Sequence, residues 1–289
     1  EELADEVVAS TPLARSSAPP LVQPQAHAAP VSRSVTIDLA MLHEKGLVTP
    51  DRPRSTIAEE FRVIKRPLID NAMGKGAARV KDGNLIMVTS ALPGEGKSFT
   101  AINLAMSLAM ELDHTVMLVD ADVTRPSVMS KLGLPPAAGL LDMLRGGQTK
   151  LADVLLRTNV EGLTLLPAGL PHDRATELLA SDAMTDLLDE MSKRYSDRII
   201  IFDSPPLLLT TEARVLANHM GQVVVVVRAE KTLQSEVEHA LSTIEACPIK
   251  LLVLNQVRSQ GLGAHGYGYG YGHGGYGRAT EERMPAAAA

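Results

Sequence analysis

The stretch from Ala91 to Ser98, Ala-Leu-Pro-Gly-Glu-Gly-Lys-Ser, has the residue types and spacing of a phosphate-binding loop. A strand-like run over 85–90 precedes it, and a helix-like run over 99–109 follows it. In such a loop, backbone N–H groups and the positive end of the helix hold phosphates. Lys97 is expected to reach the β- and γ-phosphates, and the Ser98 hydroxyl to bind Mg²⁺. This context indicates a nucleoside triphosphate site rather than a plain glycine-rich turn.

The glycines of this stretch distinguish two nucleotide-binding motifs. Ala91 takes the place of the first glycine of the phosphate-binding loop. A dinucleotide fingerprint fits less well, because Phe99 stands where its third glycine would follow Gly94 and Gly96. We therefore expect the triphosphate to contact the loop and the first helical residues, namely Pro93, Gly94, Glu95, Gly96, Lys97, Ser98 and Phe99.

Aspartates stand at the ends of two apolar strand-like runs. Asp120 and Asp122 follow the run 116–119, and Asp203 follows the run 198–202 and precedes two prolines. Ligands of parallel sheets bind at the carboxyl ends of the strands. An apolar strand that ends in Asp is typical of a Mg²⁺-binding Walker B motif, although an Asp that begins a turn is also common. Beside the loop, these residues predict a Mg²⁺ site formed by Ser98, Asp122 and Asp203.

The alternation of strand-like and helical patterns predicts the fold class. The strands are short and aliphatic, as strands buried on both faces should be. Helices between most of them indicate an α/β fold with a doubly wound, mainly parallel sheet. The predicted strands are 84–90, 115–120, 162–166, 198–203, 222–228 and 249–255, and the predicted helices are 56–73, 97–112, 174–194 with a break, 211–219 and 232–246.

Composition divides the chain into three zones. Residues 1–54 are rich in Pro, Ala and Ser, which predicts a mostly disordered lead-in with a short helix near 36–45. Residues 55–258 form the predicted folded domain, and residues 259–289 form a Gly- and Tyr-rich tail.

Charge and composition exclude several classes of function. The formal net charge of −6 argues against a nucleic-acid partner. The single cysteine excludes an internal disulfide and fits a reducing compartment. No apolar run approaches the roughly 18 residues that a membrane helix needs. We therefore expect a soluble, cytoplasmic protein.

Together these motifs resemble those of the bacterial tyrosine kinases of capsule and exopolysaccharide synthesis. The resemblance rests on Pro93–Ser98, on Asp120 and Asp122, and on the run Asp-Ser-Pro-Pro at 203–206, and it covers residues 55–277. The stretch 58–67 is most similar to the stand-alone kinases of exosortase-associated loci. The resemblance implies a P-loop fold of the deviant Walker A, partition-ATPase-like superfamily, with ATP and Mg²⁺ as cofactors.

The resemblance also implies further contacts and partners. Arg125 is expected near a phosphate, although the family usually has its arginine where Thr124 stands. Glu59, Arg62 and Lys65 match an oligomerisation motif with Lys65 in place of arginine, which implies a homo-oligomer, in the form of a ring; a solvated helix face is the other interpretation. A membrane-embedded chain-length regulator would activate the kinase and recruit it to the inner face of the membrane, and a tyrosine phosphatase would oppose it.

The tail distinguishes a tyrosine autokinase from the alternative, a partition or cell-division switch ATPase of the same superfamily. Such ATPases usually carry a signature lysine where this chain has Leu92. Four of the five tyrosines lie in the tail, separated by glycine, and are the expected phosphorylation sites: Tyr267, Tyr269, Tyr271 and Tyr276. Phosphate transfer to them makes Lys97, Asp120, Asp122 and Asp203 the expected catalytic residues. Asp120 is the expected base, although Asp122 can exchange roles with it, and Asn255 either contacts adenine or caps a turn.

Overall fold

A computed structural model describes residues 33–76, 79–146, 149–195 and 197–257 of the chain. Its elements alternate between strands and helices along most of the chain. In order they are β1 (Arg33–Val35), α1 (Leu39–Glu44), α2 (Thr56–Ala72), β2 (Leu85–Ser90), α3 (Lys97–Ala109), β3 (Thr115–Asp120), α4 (Val128–Lys131), α5 (Leu140–Leu144), α6 (Leu151–Val154), β4 (Leu156–Thr158), β5 (Leu163–Leu166), α7 (Ala175–Leu179), α8 (Asp182–Arg194), β6 (Arg198–Asp203), α9 (Thr211–Ala217), β7 (Gln222–Arg228), α10 (Gln234–Ser242) and β8 (Ile249–Asn255).

The eight described strands form one sheet in the order β1-β4-β5-β3-β6-β2-β7-β8. Every neighbouring pair is parallel except β4 and β5, which are antiparallel. The central strands β2, β3 and β6 are aliphatic and buried along nearly their whole length, as strands covered on both faces must be. The mainly parallel sheet predicted from the sequence is confirmed.

Helices cover both faces of the sheet and enclose two separate cores. One core joins α2 and α3 to one face of the sheet through residues such as Leu68 and Ile102. The other core joins α8 and α9 to the opposite face through residues such as Met191 and Leu216. This arrangement confirms the doubly wound fold, and it places β2, β3 and β6 side by side so that their carboxyl ends share one edge.

The folded domain begins before residue 55, contrary to the sequence expectation for residues 33–54. Strand β1 pairs with β4, and Ile37, Leu42 and Val48 are buried in the core of α2 and α3. The Asn159 side chain bonds both backbone groups of Ile37, accepting its N–H at 2.7 Å and donating to its carbonyl at 3.1 Å. Long-range contacts of this kind leave no periodic pattern, so the proline-rich composition misled the prediction. Residues 1–32 lie outside the described part of the chain.

The remaining differences concern very short elements. The helix expected near 36–45 is present as α1, whereas β4 and the helices α4, α5 and α6 were not predicted. Elements of three to five residues are too short to show hydrophobic periodicity. Across the described ranges, no helix combines the length and the apolar character needed to cross a membrane.

Candidate nucleotide and acceptor site

The glycine-rich turn between β2 and α3 has an open, uncapped geometry. Gly94 and Gly96 adopt left-handed backbone angles, with φ of 81° and 100°. Gly96 is also the N-cap of α3, and within the described residues no side chain caps the start of that helix. The first turn of α3 carries no acidic residue. Free N–H groups at a positive helix end fit the phosphates of a nucleotide.

Lys97 and Asp122 form an ion pair at the mouth of this turn. The Nζ atom of Lys97 donates to Oδ2 of Asp122 at 2.6 Å, and both side chains are largely buried. The other carboxylate oxygen of Asp122 accepts from the Thr124 hydroxyl and from the Arg125 N–H, both at 3.2 Å. Asp122 therefore holds Lys97 next to the loop from the end of β3.

Asp203 lies at the end of the adjacent strand β6 and is fully buried. Within the described residues, neither of its carboxylate oxygens has a hydrogen-bond partner. Burial raises the pKa of Asp203 to about 6, while the nearby Lys97 ammonium and Ser98 hydroxyl act in the opposite direction. A buried carboxylate without partners is costly unless it serves a cation or a bound water.

The residues of this site fit Mg²⁺ only together with a nucleotide. In the described ranges, no three His, Cys, Asp or Glu side chains converge as a metal site of their own. Mg²⁺ is commonly held by one or two carboxylates, with phosphate oxygens and waters completing its octahedron. The unpartnered oxygens of Asp203, with Asp122 and Ser98 nearby, match that donor set, so these three residues are the ones that would hold the ion.

Asp120 lies beneath the site rather than in it. One carboxylate oxygen accepts the backbone N–H groups of Ser127 and Val128, both at 3.0 Å, and so anchors the start of α4. Its side chain is fully buried and lines no part of the cleft, whereas Asp122 lines it. Asp122 is thus the one of the two carboxylates that lines the cleft, and the choice of base between Asp120 and Asp122 stays a prediction.

The buried charge of Asp120 makes stability depend on pH. Burial and the nearby Asp203 carboxylate raise the pKa of Asp120 to about 7, against the opposing N–H hydrogen bonds. Because this folded-state pKa exceeds the unfolded value, the folded protein binds more protons between about pH 4 and 7. The free energy of unfolding should therefore fall by a few kcal/mol as the pH rises through that window.

Asp120→Asn should flatten this dependence, because an amide oxygen can still accept the two N–H bonds of α4. Urea unfolding in EDTA at pH 5.5 and pH 8 measures the change. Asp189→Asn is the matched control, because Asp189 is an exposed carboxyl whose pKa is lowered by Lys193. If the free energy of unfolding falls equally from pH 5.5 to pH 8 in the wild type and in Asp120→Asn, Asp120 is not the source of the pH dependence.

The Walker residues surround a cleft of about 980 Å³. It is lined by nine of the residues predicted from the sequence: Pro93, Gly94, Gly96, Lys97, Ser98, Phe99, Asp122, Arg125 and Asn255. The lining also includes residues that the sequence analysis did not assign to the nucleotide: Thr124, Ser127, Lys131, Pro205, Pro206, Leu209, Thr210 and Gln256. Thr124, Pro205, Pro206 and Gln256 follow a predicted strand end within four residues, and this position is the signal that could have identified them.

Two predicted nucleotide contacts have other partners in the structure. Glu95 is buried and lines no part of the cleft. Its carboxylate accepts the N–H of Leu92 at 2.7 Å and the hydroxyl of Thr232. The Asn255 amide donates to the backbone carbonyl of Glu95 at 2.9 Å, while Asn255 still lines the cleft. Glu95 thus shapes the loop, and contact of Asn255 with adenine stays a prediction.

The three residues of the predicted oligomerisation motif do not share one exposed surface. Glu59 and Arg62 are exposed and paired at 2.6 Å. Lys65 is buried and pairs with Glu111 at 2.7 Å, while it donates to the carbonyl of Ser107 at 2.5 Å. Lys65 therefore links α2 to α3 inside the domain. The four predicted phosphorylation sites of the tail lie outside the described residues.

Comparison with known proteins places this site in a family. Residues 83–252 match the AAA domain family. Tyrosine-protein kinase YwqD of Bacillus subtilis is 30% identical over 209 residues, which cover 72% of this chain and 84% of YwqD. Tyrosine-protein kinase ptk of Acinetobacter johnsonii is 34% identical over 182 residues, which cover 62% of this chain but only 24% of ptk.

A solved structure supports the same relationship. The chimerical protein CapA2B2 superposes with a TM-score of 0.62 at 31% identity, over 77% of this chain and 92% of the chimera. The family match over residues 83–252 includes the phosphate loop and the strands β2, β3 and β6. The chain therefore belongs to the AAA domain family and, within it, to the bacterial tyrosine-protein kinases.

Proposed function

We propose that this protein is an ATP-dependent tyrosine autokinase that phosphorylates the tyrosines of its own tail, in trans. The observation that carries the proposal is the uncapped phosphate loop, in which the Lys97–Asp122 pair lies beside the unpartnered carboxylate of Asp203. A loop with free N–H groups can bind a triphosphate, and a positioned cation with two carboxylates suits phosphoryl transfer.

Different residues would bind the phosphates, bind the metal ion and accept the proton during the transfer. Lys97 and the loop N–H groups would hold the phosphates, and Ser98, Asp122 and Asp203 would hold Mg²⁺. Mg·ATP, when bound, supplies the phosphoryl group and a metal that neutralises its charge. The tyrosine oxygen bonds to the γ-phosphorus, the bond from that phosphorus to the β–γ bridging oxygen breaks, and ADP leaves. One of the two carboxylates at the end of β3, Asp120 or Asp122, would accept the hydroxyl proton, and the other would serve the metal ion.

The lining of the cleft is suited to an aromatic acceptor. Pro205, Pro206 and Leu209 contribute apolar surface, and Leu209 is 60% exposed although Leu207 is fully buried. Arg125 and Lys131 also line the cleft. The tyrosines of the tail are flanked by glycine, so one ring can enter the cleft without neighbouring side chains. The apolar residues would hold the ring while the two cations attract the phosphate.

The wider role follows the resemblance to the capsule and exopolysaccharide kinases. In this role the kinase would regulate synthesis and export of a polysaccharide from the cytoplasmic side of the membrane. It would assemble with further copies of itself, respond to a membrane chain-length regulator and be reversed by a tyrosine phosphatase. With Lys65 inside the domain, Glu59 and Arg62 are the residues of the predicted motif that a second copy can reach.

Mass spectrometry of the tail tests the proposal. Purified protein is incubated with Mg·ATP, with and without the cytosolic tail of a co-encoded membrane partner. Phosphate is expected on the peptide spanning residues 259–278. A variant with Phe at positions 267, 269, 271 and 276 should lose nearly all incorporation. Tyr195→Phe is the matched control, because Tyr195 is the remaining tyrosine and stacks near Arg198 in the folded domain.

ATP hydrolysis without phosphotyrosine, even with the partner added, would favour the switch ATPase instead. Phosphotyrosine on Tyr195 with an unmodified tail would support a tyrosine kinase but contradict the assigned acceptor.

A further inference from the structure

The phosphate-binding loop is held from outside the cleft by the turn that follows β7. Thr232 lies in this turn, between β7 and α10, and does not line the cleft. Its hydroxyl donates to one carboxylate oxygen of Glu95, in the middle of the loop. The second Glu95 oxygen accepts the N–H of Leu92, at the beginning of the loop, at 2.7 Å. The Glu95 carboxylate therefore bridges the loop and the turn.

The hydrogen bonds of this bridge stabilise the buried Glu95 carboxylate. Glu95 is 3% exposed, and no cationic side chain in the described part of the chain pairs with it. A buried carboxylate requires hydrogen bonds, and here they come from neutral donors. Without the Thr232 hydroxyl, one carboxylate oxygen of Glu95 would lose its hydrogen-bond donor. Rotation of the Glu95 side chain toward water would then be favourable, because water can replace that donor.

The turn that carries Thr232 is itself rigidly placed. The Thr232 hydroxyl accepts the N–H of Arg228 at 3.1 Å, and the Thr232 N–H donates back to the Arg228 carbonyl at 3.1 Å. Glu230, between them, has a left-handed φ of 59°. The N–H of Ala229 donates to the carbonyl of Asn255 at 2.9 Å, which ties the turn to the end of β8. The hydroxyl is thus presented to Glu95 by a fixed piece of backbone.

Glu95 stands between the two left-handed glycines of the loop, Gly94 and Gly96, both of which line the cleft. A rotation of Glu95 would shift both neighbouring peptide groups. Preorganised donors bind charge more strongly than donors that must reorient on binding. We infer that Thr232 is a positioning residue for the phosphate-binding loop, acting on nucleotide affinity through Glu95 without contact with the nucleotide. The inference rests on the proposed binding of ATP at this loop.

Three variants test it by calorimetric titration with Mg·ATP and by steady-state kinetics. Thr232→Val keeps the branched shape without the hydroxyl, and it should weaken nucleotide binding about tenfold, as the loss of one bond to a buried charge implies. Thr232→Ser keeps the hydroxyl and should bind within about twofold of the wild type. Thr243→Val is the matched control, since the Thr243 hydroxyl bonds a carbonyl within α10 at 2.7 Å. The KM for ATP should rise more than kcat falls.

A double-mutant cycle separates positioning from a general loss of stability. In the Glu95→Gln background no carboxylate charge remains, so Thr232→Val should weaken binding by much less than tenfold. Equal effects in both backgrounds, or wild-type affinity in folded Thr232→Val, would overturn the inference. If Thr232→Val fails to fold, the Mg·ATP affinities of Thr232→Ser and Glu95→Gln are compared with that of the wild type. An unchanged affinity in Glu95→Gln would then overturn the inference. A wild-type protein that binds no Mg·ATP would instead contradict the proposed function.

Discussion

Lys97→Met should reduce tail phosphorylation by about a hundredfold or more, since removing one preorganised charge-stabilising group typically costs that much. Methionine retains the length and apolar stem of lysine but cannot donate to a phosphate. The Lys97 ammonium lies 2.6 Å from Asp122 beside the uncapped loop, next to the expected position of the phosphates. The rate of phosphotyrosine formation at saturating Mg·ATP measures the effect.

The same substitution leaves Asp122 as a buried carboxylate without its cation. Breaking a buried pair from one side can cost about 3–5 kcal/mol, so urea unfolding must show that the variant is folded under assay conditions. Lys193→Met is the matched control, because it removes a lysine from an exposed pair with Asp189 and should leave the rate unchanged. A folded Lys97→Met protein with more than about a tenth of wild-type activity would contradict the assigned role.

Gly96→Ala should weaken Mg·ATP binding by about a hundredfold, because a deformed loop no longer presents its N–H groups to the phosphates. The backbone of Gly96 has a φ of 100°, which costs any residue with a Cβ atom about 1–2 kcal/mol. A Cβ at this position would also lie 2.0 Å from the Asn255 amide nitrogen. Asn255 would have to leave the Glu95 carbonyl that it now bonds.

Two further variants separate these causes. Gly46→Ala introduces a Cβ at a comparable φ of 72° where no atom lies within 4 Å, so it should cost stability without changing nucleotide affinity. Combining Gly96→Ala with Asn255→Ala removes the collision, and the double variant should bind better than the sum of the single effects predicts. Additive losses in the double variant would mean that backbone strain alone deforms the loop.

The main elements and motifs of this domain were predictable because they are local. Strand β2, the loop and helix α3 occur within one short stretch, and aspartates after apolar runs mark strand ends without knowledge of the fold. The sheet topology then brings Asp120 and Asp203 to paired positions on β3 and β6. That residues 33–54 belong to the fold was not predictable, because β1 pairs with a strand more than a hundred residues away and carries no periodic signal.

The amino-acid sequence by itself determined the phosphate loop, the carboxylates at the strand ends and the family, since each depends on residue types at short spacing. The tertiary structure decided what each polar side chain does, because hydrogen-bond partners come from distant segments. It placed Asp120 under α4 and Asp122 in the cleft, although they are two residues apart. It likewise placed Lys65 against Glu111 and Glu95 against Thr232. Burial makes these contacts specific, because a buried charge must find a partner wherever the fold supplies one.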